Sequence, residues 1–99
     1  MSKDKRKQHI LNAAMIEARQ HGYNNVGRVQ IAERAGVAAA LVPYYFGTMN
    51  ELRRVIMSEA IRTRDLRVVA QGIVNGHPKA KRAPDDLKQE ALQSFMARE

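Results

Sequence analysis

The sequence contains no cysteine. A disulfide framework, a cysteine-ligated metal site and a cysteine nucleophile are therefore excluded. It also has no run of about 18 apolar residues, the length that a membrane-spanning helix needs. The opening MSKDKRKQHI is basic but lacks the apolar stretch of a secretion signal, which points to a cytoplasmic protein. No glycine-rich loop able to cradle a phosphate is present. His9, His21 and His77 are far apart and show no ligand spacing, so no metal site is expected. The acids Asp4, Glu17, Glu33, Glu51, Glu59, Asp65, Asp85, Asp86, Glu90 and Glu99 fall on polar helix faces or at helix starts, with no partnered Ser or His. Neither catalytic residues nor a cofactor are expected, and the chain reads as something other than an enzyme.

Acidic residues are scarce. Ten Asp and Glu stand against 17 Lys and Arg, a formal charge of +7. Residues 1–56 carry nine basic and four acidic side chains, and the remainder carries eight and six. The excess sits in the first half, as a phosphate-binding surface requires. Basic surface also serves solubility, so charge alone does not decide the matter. A length of 99 residues suits one compact body with a modest core.

The apolar pattern has helical periodicity throughout and predicts an all-α protein. Ile10, Leu11, Ala14, Met15 and Ala18 form one stripe on a helix over about 5–21, closed by Gly22. A second helix over 28–35 turns Val29, Ile31, Ala32 and Ala35 inward, and Gly36 supplies a sharp turn. A third helix over 39–45 contains Pro43, which lacks an N–H and clashes with the carbonyl four residues back. The spacing therefore predicts a short or 3₁₀-distorted helix with Pro43 near its first turn. Phe46 anchors its end in the core. Thr48-Met49-Asn50-Glu51 is a capping box opening a fourth helix. Leu52, Val55, Ile56 and Ala60, then Leu66 and Val69, carry its stripe to about Gln71. Lys79 to Pro84 reads as a basic connector, and a last helix starts near Asp85 with Leu87, Ala91, Leu92, Phe95 and Met96 in a narrow apolar stripe. The stretch from Val26 to Leu52, VGRVQIAERAGVAAALVPYYFGTMNEL, thus has the layout of a helix-turn-helix, whose second helix enters the DNA major groove.

Ile10-Leu11, Ala13-Ala14, Gly22-Tyr23, Ile31-Ala32, Ala35-Gly36-Val37, Tyr44-Tyr45-Phe46-Gly47 and Leu52, taken in register, resemble the N-terminal DNA-binding domain of the TetR/AcrR repressor family. The resemblance implies an all-helical three-helix head, here 1–56, with a long fourth helix leading away from DNA; residues 57–99 read as a helical extension that ends in the short C-terminal helix. It further implies a homodimer that represses by occupying an inverted-repeat operator in double-stranded DNA. Three positions depart from the family. Gly27 and Ala38 stand where Ser or Thr usually caps helices two and three, and Met49 stands where a phosphate-touching Lys is usual. The chain also has only about forty residues after the head, so no pocket of the usual ~300–1,000 Å³ and no small-molecule inducer are expected. It reads either as a naturally minimal repressor of the kind plasmids or phages encode, or as a fragment.

The residues expected at DNA are Ala38, Ala39, Ala40, Pro43, Tyr44 and Tyr45 on helix three, Arg28 and Gln30 on helix two, Thr48 and Met49 at the start of helix four, and Lys5 and Lys7 in the N-terminal arm. Helix three offers no Arg or Asn for bidentate bonds to bases, so its alanines would meet thymine methyls. Arg28 also reads as a solvated arginine, and the Lys cluster as a solubilising tail. Leu66, Val69, Leu87, Leu92 and Phe95 over 57–99 are the expected dimer seam, in a cytoplasmic, nucleoid-associated protein with no membrane partner. The alternative is a small helical protein-interaction module whose basic surface is incidental.

Overall fold

The computed structural model describes residues 2–97, and every regular element among them is helical. α1 spans Lys3–His21, α2 Arg28–Ala35, α3 Leu41–Phe46, α4 Met49–Thr63, α5 Leu66–Val74, α6 Pro78–Lys81 and α7 Asp85–Met96, with a 3₁₀ turn at Tyr23–Asn25. Contacts divide the chain into two units, Met1–Ile56 and Met57–Glu99, and the division falls within α4. Among the described residues no helix is long and apolar enough to cross a membrane.

In the first unit, Ser2 caps α1 by accepting the Lys5 N–H at 3.2 Å. The N-terminal lysines therefore belong to a capped helix, neither a loose tail nor a free arm. Ile10, Leu11, Ala14, Met15 and Ala18 are buried as their spacing required. α2 closes on Gly36 at φ 71°, with Gly36 N–H bonding Glu33 O at 3.2 Å and Val37 N–H bonding Ala32 O at 3.0 Å. That pair of bonds is a Schellman motif, which satisfies carbonyls the helix end would otherwise leave open. Ile31, Ala32 and Ala35 are buried, but Val29 is 47% exposed. The expectation for Val29 was wrong because it lies roughly 110° round the helix from the mean direction of the other three.

Two further bonds tie α2 to α1. The Arg34 Nε–H donates to Glu17 Oε2 at 2.6 Å, and Glu17 is buried. This corrects the placement of Glu17 on a polar face. His9 Nε2 bonds the Ala35 carbonyl at 2.7 Å. Both contacts join side chains to partners far along the chain, which periodicity cannot foresee.

The proline in α3 is resolved as expected. Leu41 N–H bonds Ala38 O at 3.0 Å and Val42 N–H bonds Ala39 O at 3.1 Å, so the helix opens with a 3₁₀ turn. The Ala39 carbonyl, which Pro43 has no N–H to reach, is thereby satisfied by Val42. Val42 and Phe46 are buried and Tyr44 is exposed. The capping box forms: Glu51 N–H donates to Thr48 Oγ1 at 3.1 Å, and Thr48 N–H donates to Glu51 Oε1 at 3.3 Å.

In the second unit, α4 stops at Thr63 instead of continuing to Gln71. Arg64 is the one non-glycine residue among those described with a positive φ, 55°. Arg64 N–H bonds Ile61 O at 3.3 Å and Asp65 N–H bonds Ala60 O at 2.8 Å, again a Schellman closure, here without its usual glycine. The guanidinium bonds Glu90 at 3.0 Å and Asp86 at 3.3 Å on α7, and chiefly the Glu90 bond raises its pKa further. Asp65 then caps α5 by accepting the Val68 N–H at 3.3 Å. The region read as a connector holds one helical turn, α6, with Pro78 at its first position and His77 Nδ1 accepting the Lys79 N–H at 3.1 Å. Gly72 lets α5 approach its neighbours closely, since a Cβ there would lie 2.5 Å from Met57 Cε and 2.7 Å from Ala80 Cβ.

Candidate nucleic-acid interface

Three elements of the first unit meet around an open cleft of about 370 Å³, lined by Arg28 of α2, Val42 and Pro43 of α3, and Gly47, Thr48, Met49 and Glu51 at the start of α4. Four of the expected DNA-contacting residues, Arg28, Pro43, Thr48 and Met49, are thus brought together. Their convergence follows from local structure. The Schellman turn sets α3 against α2, and Gly47 at φ 75° reverses the chain into the Thr48 cap.

The other expected contacts lie around α3. Ala38 and Ala40 are exposed, while Ala39 and Tyr45 are half-buried. Tyr44 is 66% exposed, its ring edge-on to Tyr45 at 5.0 Å. Lys3 Nζ sits 5.8 Å from the centre of the Tyr44 ring, and Lys7 Nζ 5.6 Å from that of Phe46. These cation–π contacts set the α1 N-terminus beside the C-terminal end of α3. Lys5 is exposed on the same capped turn. Arg34 is removed from the pool of free cations by Glu17.

Such an arrangement presents a short helix flanked by Lys and Arg, the design in which cations hold phosphates while a helix meets base edges. Residues 10–56 match the family model described as "Bacterial regulatory proteins, tetR family". The head is a TetR-family DNA-binding domain. Over 64 residues, 63% of its length, the chain is 41% identical to the "HTH-type transcriptional regulator BetI" of Agrobacterium fabrum. It spans 29% of the length of that curated relative. No solved structure gives a significant match.

Within this TetR-family head, two details differ from the reading of the sequence. Gln30 is exposed, yet its amide oxygen lies back over the helix start, where a Cβ on Gly27 would come within 2.3 Å of it. At α4, the N–H groups of Thr48 and Glu51 are already committed to the capping box, which leaves fewer amides for a phosphate than a bare helix end offers. Val29, exposed beside Arg28 and Gln30, is the residue that sequence reasoning missed; its angle to Ile31, Ala32 and Ala35 was the available signal.

Of the residues expected at a dimer seam, Val69 and Leu87 are fully buried within the single chain and have no surface to offer a partner. That part of the expectation is corrected. Leu66 and Leu92 are half-buried, and Phe95 is 40% exposed. Val74 and Met96, at 60% and 70%, are more exposed than Phe95 in the second unit.

Proposed function

We propose that this chain is a transcriptional repressor that binds duplex DNA as a homodimer at an inverted repeat and excludes the transcription machinery sterically. In this reading residues 1–56 bind DNA, with α3 in the major groove. Residues 57–99 carry the dimer seam, drawn from Leu66, Leu92 and Phe95 with Met96 and Val74 added. A twofold dimer mirrors a palindromic site, with half-sites about 34–36 Å apart or a multiple of that. Arg28, Lys3, Lys5 and Lys7 hold phosphates, while Ala38, Ala40 and Tyr44 meet base edges. The protein then works in the cytoplasm, on the nucleoid.

The observation that carries the reading is the convergence of Arg28, Pro43, Thr48 and Met49 on one cleft in a TetR-family head. BetI, described as a transcriptional regulator, supports the regulatory role. The test is selection of duplexes from a random pool by the full chain at moderate salt. An enriched inverted repeat is the expected result. A lone half-site would refute the symmetric dimer. No enrichment, with binding that vanishes as salt rises, would refute sequence-specific recognition and favour a protein-interaction role.

A further inference from the structure

The helix-turn-helix fixes where DNA is met, and the side chains placed there decide what can be read. Here they carry very little hydrogen-bonding chemistry. Ala38 and Ala40 stand exposed at the opening of α3, and Ala39 is half-exposed between them. Pro43 follows, without an N–H. Tyr44 is exposed and Tyr45 half-buried, and the Tyr44 ring is flanked by Tyr45 and by the Lys3 ammonium. On the first turn of α2, Val29 adds an isopropyl group at 47% exposure, while Gln30 curls back over Gly27. Arg28 lines the cleft with Pro43 of α3 and with Thr48 and Met49 at the start of α4.

Base pairs differ in the major groove by their donors and acceptors and by one apolar feature, the C5 methyl of thymine. A surface of methyl and isopropyl groups cannot make the bidentate bonds by which Arg reads guanine or Asn reads adenine. It can still distinguish a base that brings a methyl from one that leaves a void. The surrounding Lys and Arg attract the duplex without regard to sequence, so apart from Tyr44 the choice of base falls to these apolar contacts.

We infer that this domain reads its half-site through C5 methyl groups, and that it accepts 5-methylcytosine where it accepts thymine. The two bases carry the same methyl on the same carbon. The inference rests on the DNA-binding reading above. One buried methyl-sized group changes affinity about fourfold. In a symmetric site each substitution is made in both half-sites, so the expected change is roughly 16-fold.

The test uses the full chain and its selected duplex, with affinities measured by fluorescence anisotropy at one fixed salt concentration. Deoxyuridine replaces thymidine at one symmetric pair of positions at a time, which removes the methyl and leaves pairing and every groove donor and acceptor intact. At the same positions a C·G pair is then installed with and without C5 methylation. Weakening of about 16-fold by deoxyuridine at one pair or more, with methylated cytosine recovering most of the loss seen with cytosine, is the expected result. Unchanged affinity for every deoxyuridine duplex, while a scrambled duplex still binds poorly, would overturn the methyl readout and leave DNA recognition standing. Equal binding of selected and scrambled duplexes would overturn both.

Discussion

Glu17 and Arg34 lie 17 residues apart and join α1 to α2 through a 2.6 Å bond. Their surroundings differ: the Glu17 side chain is 8% exposed, the Arg34 side chain 37%. Replacing Arg34 with Met strands a buried carboxylate. Removing one partner of a fully buried pair costs about 3–5 kcal/mol, and a hydrogen bond to a charged group contributes about 1.5–3. Because more than a third of Arg34 already faces water, the lower range applies, and about 2 kcal/mol is expected for R34M. Replacing Glu17 with Met instead releases the guanidinium to solvent, with Gln20 still 3.2 Å away to receive it, so about 1 kcal/mol or less is expected. Domains of this size are stable by only about 5–15 kcal/mol, so the first change is a substantial fraction. Urea titration followed by circular dichroism measures both. The double variant should be more stable than R34M, because it no longer buries an unpaired charge. Equal effects of the two single changes, or a double variant weaker than R34M, would refute the assignment of a buried, arginine-dependent carboxylate.

Gly72→Ala should destabilise the second unit by about 1–3 kcal/mol, although alanine is the better helix former. Met57 Cε can swing aside from the new methyl, but Ala80 Cβ, 2.7 Å away and fixed to its backbone, cannot; thermal unfolding reads the loss. At Arg64, both R64G and R64A lose the Asp86 and Glu90 contacts, but glycine takes the positive φ without strain and alanine does not. Chemical denaturation should therefore place the midpoint of R64A below that of R64G. Arg28→Ala should weaken binding to all duplexes alike and lower the salt slope by about 1, as for a phosphate contact. A selective loss for one base position, measured by anisotropy across duplex variants, would make Arg28 a base reader instead.

Much of the head was legible because its signals are local. Gly36 with Val37, Thr48 with Glu51, and Pro43 near a helix start each announce a geometry within four or five residues, and the structure forms all three. The end of α4 was not legible. Its closure needs a left-handed residue, and the chain uses Arg64 where glycine is the usual sign. An apolar stripe that resumes at Leu66 and Val69 reads as one helix, although Asp65 caps the next. His77-Pro78 is likewise a helix start that reads as a break, because proline ends one helix and begins another with the same preference. At the site, exposure of Ala38, Ala40 and Tyr44 followed from the motif. The burial of Glu17, the return of Gln30 over Gly27 and the lysine–aromatic contacts depend on how helices meet, which one strand of letters does not encode.

The central claim is that this head recognises a particular DNA sequence. Its most direct measure is the ratio of affinities for the selected duplex and for a scrambled duplex of equal length and base composition, at one physiological salt concentration. The account predicts a ratio of about 10³ or more, the usual margin of specific over nonspecific binding. A ratio near one, with both affinities falling together as salt rises, would contradict it and reduce the basic surface to a general attraction for polyanions.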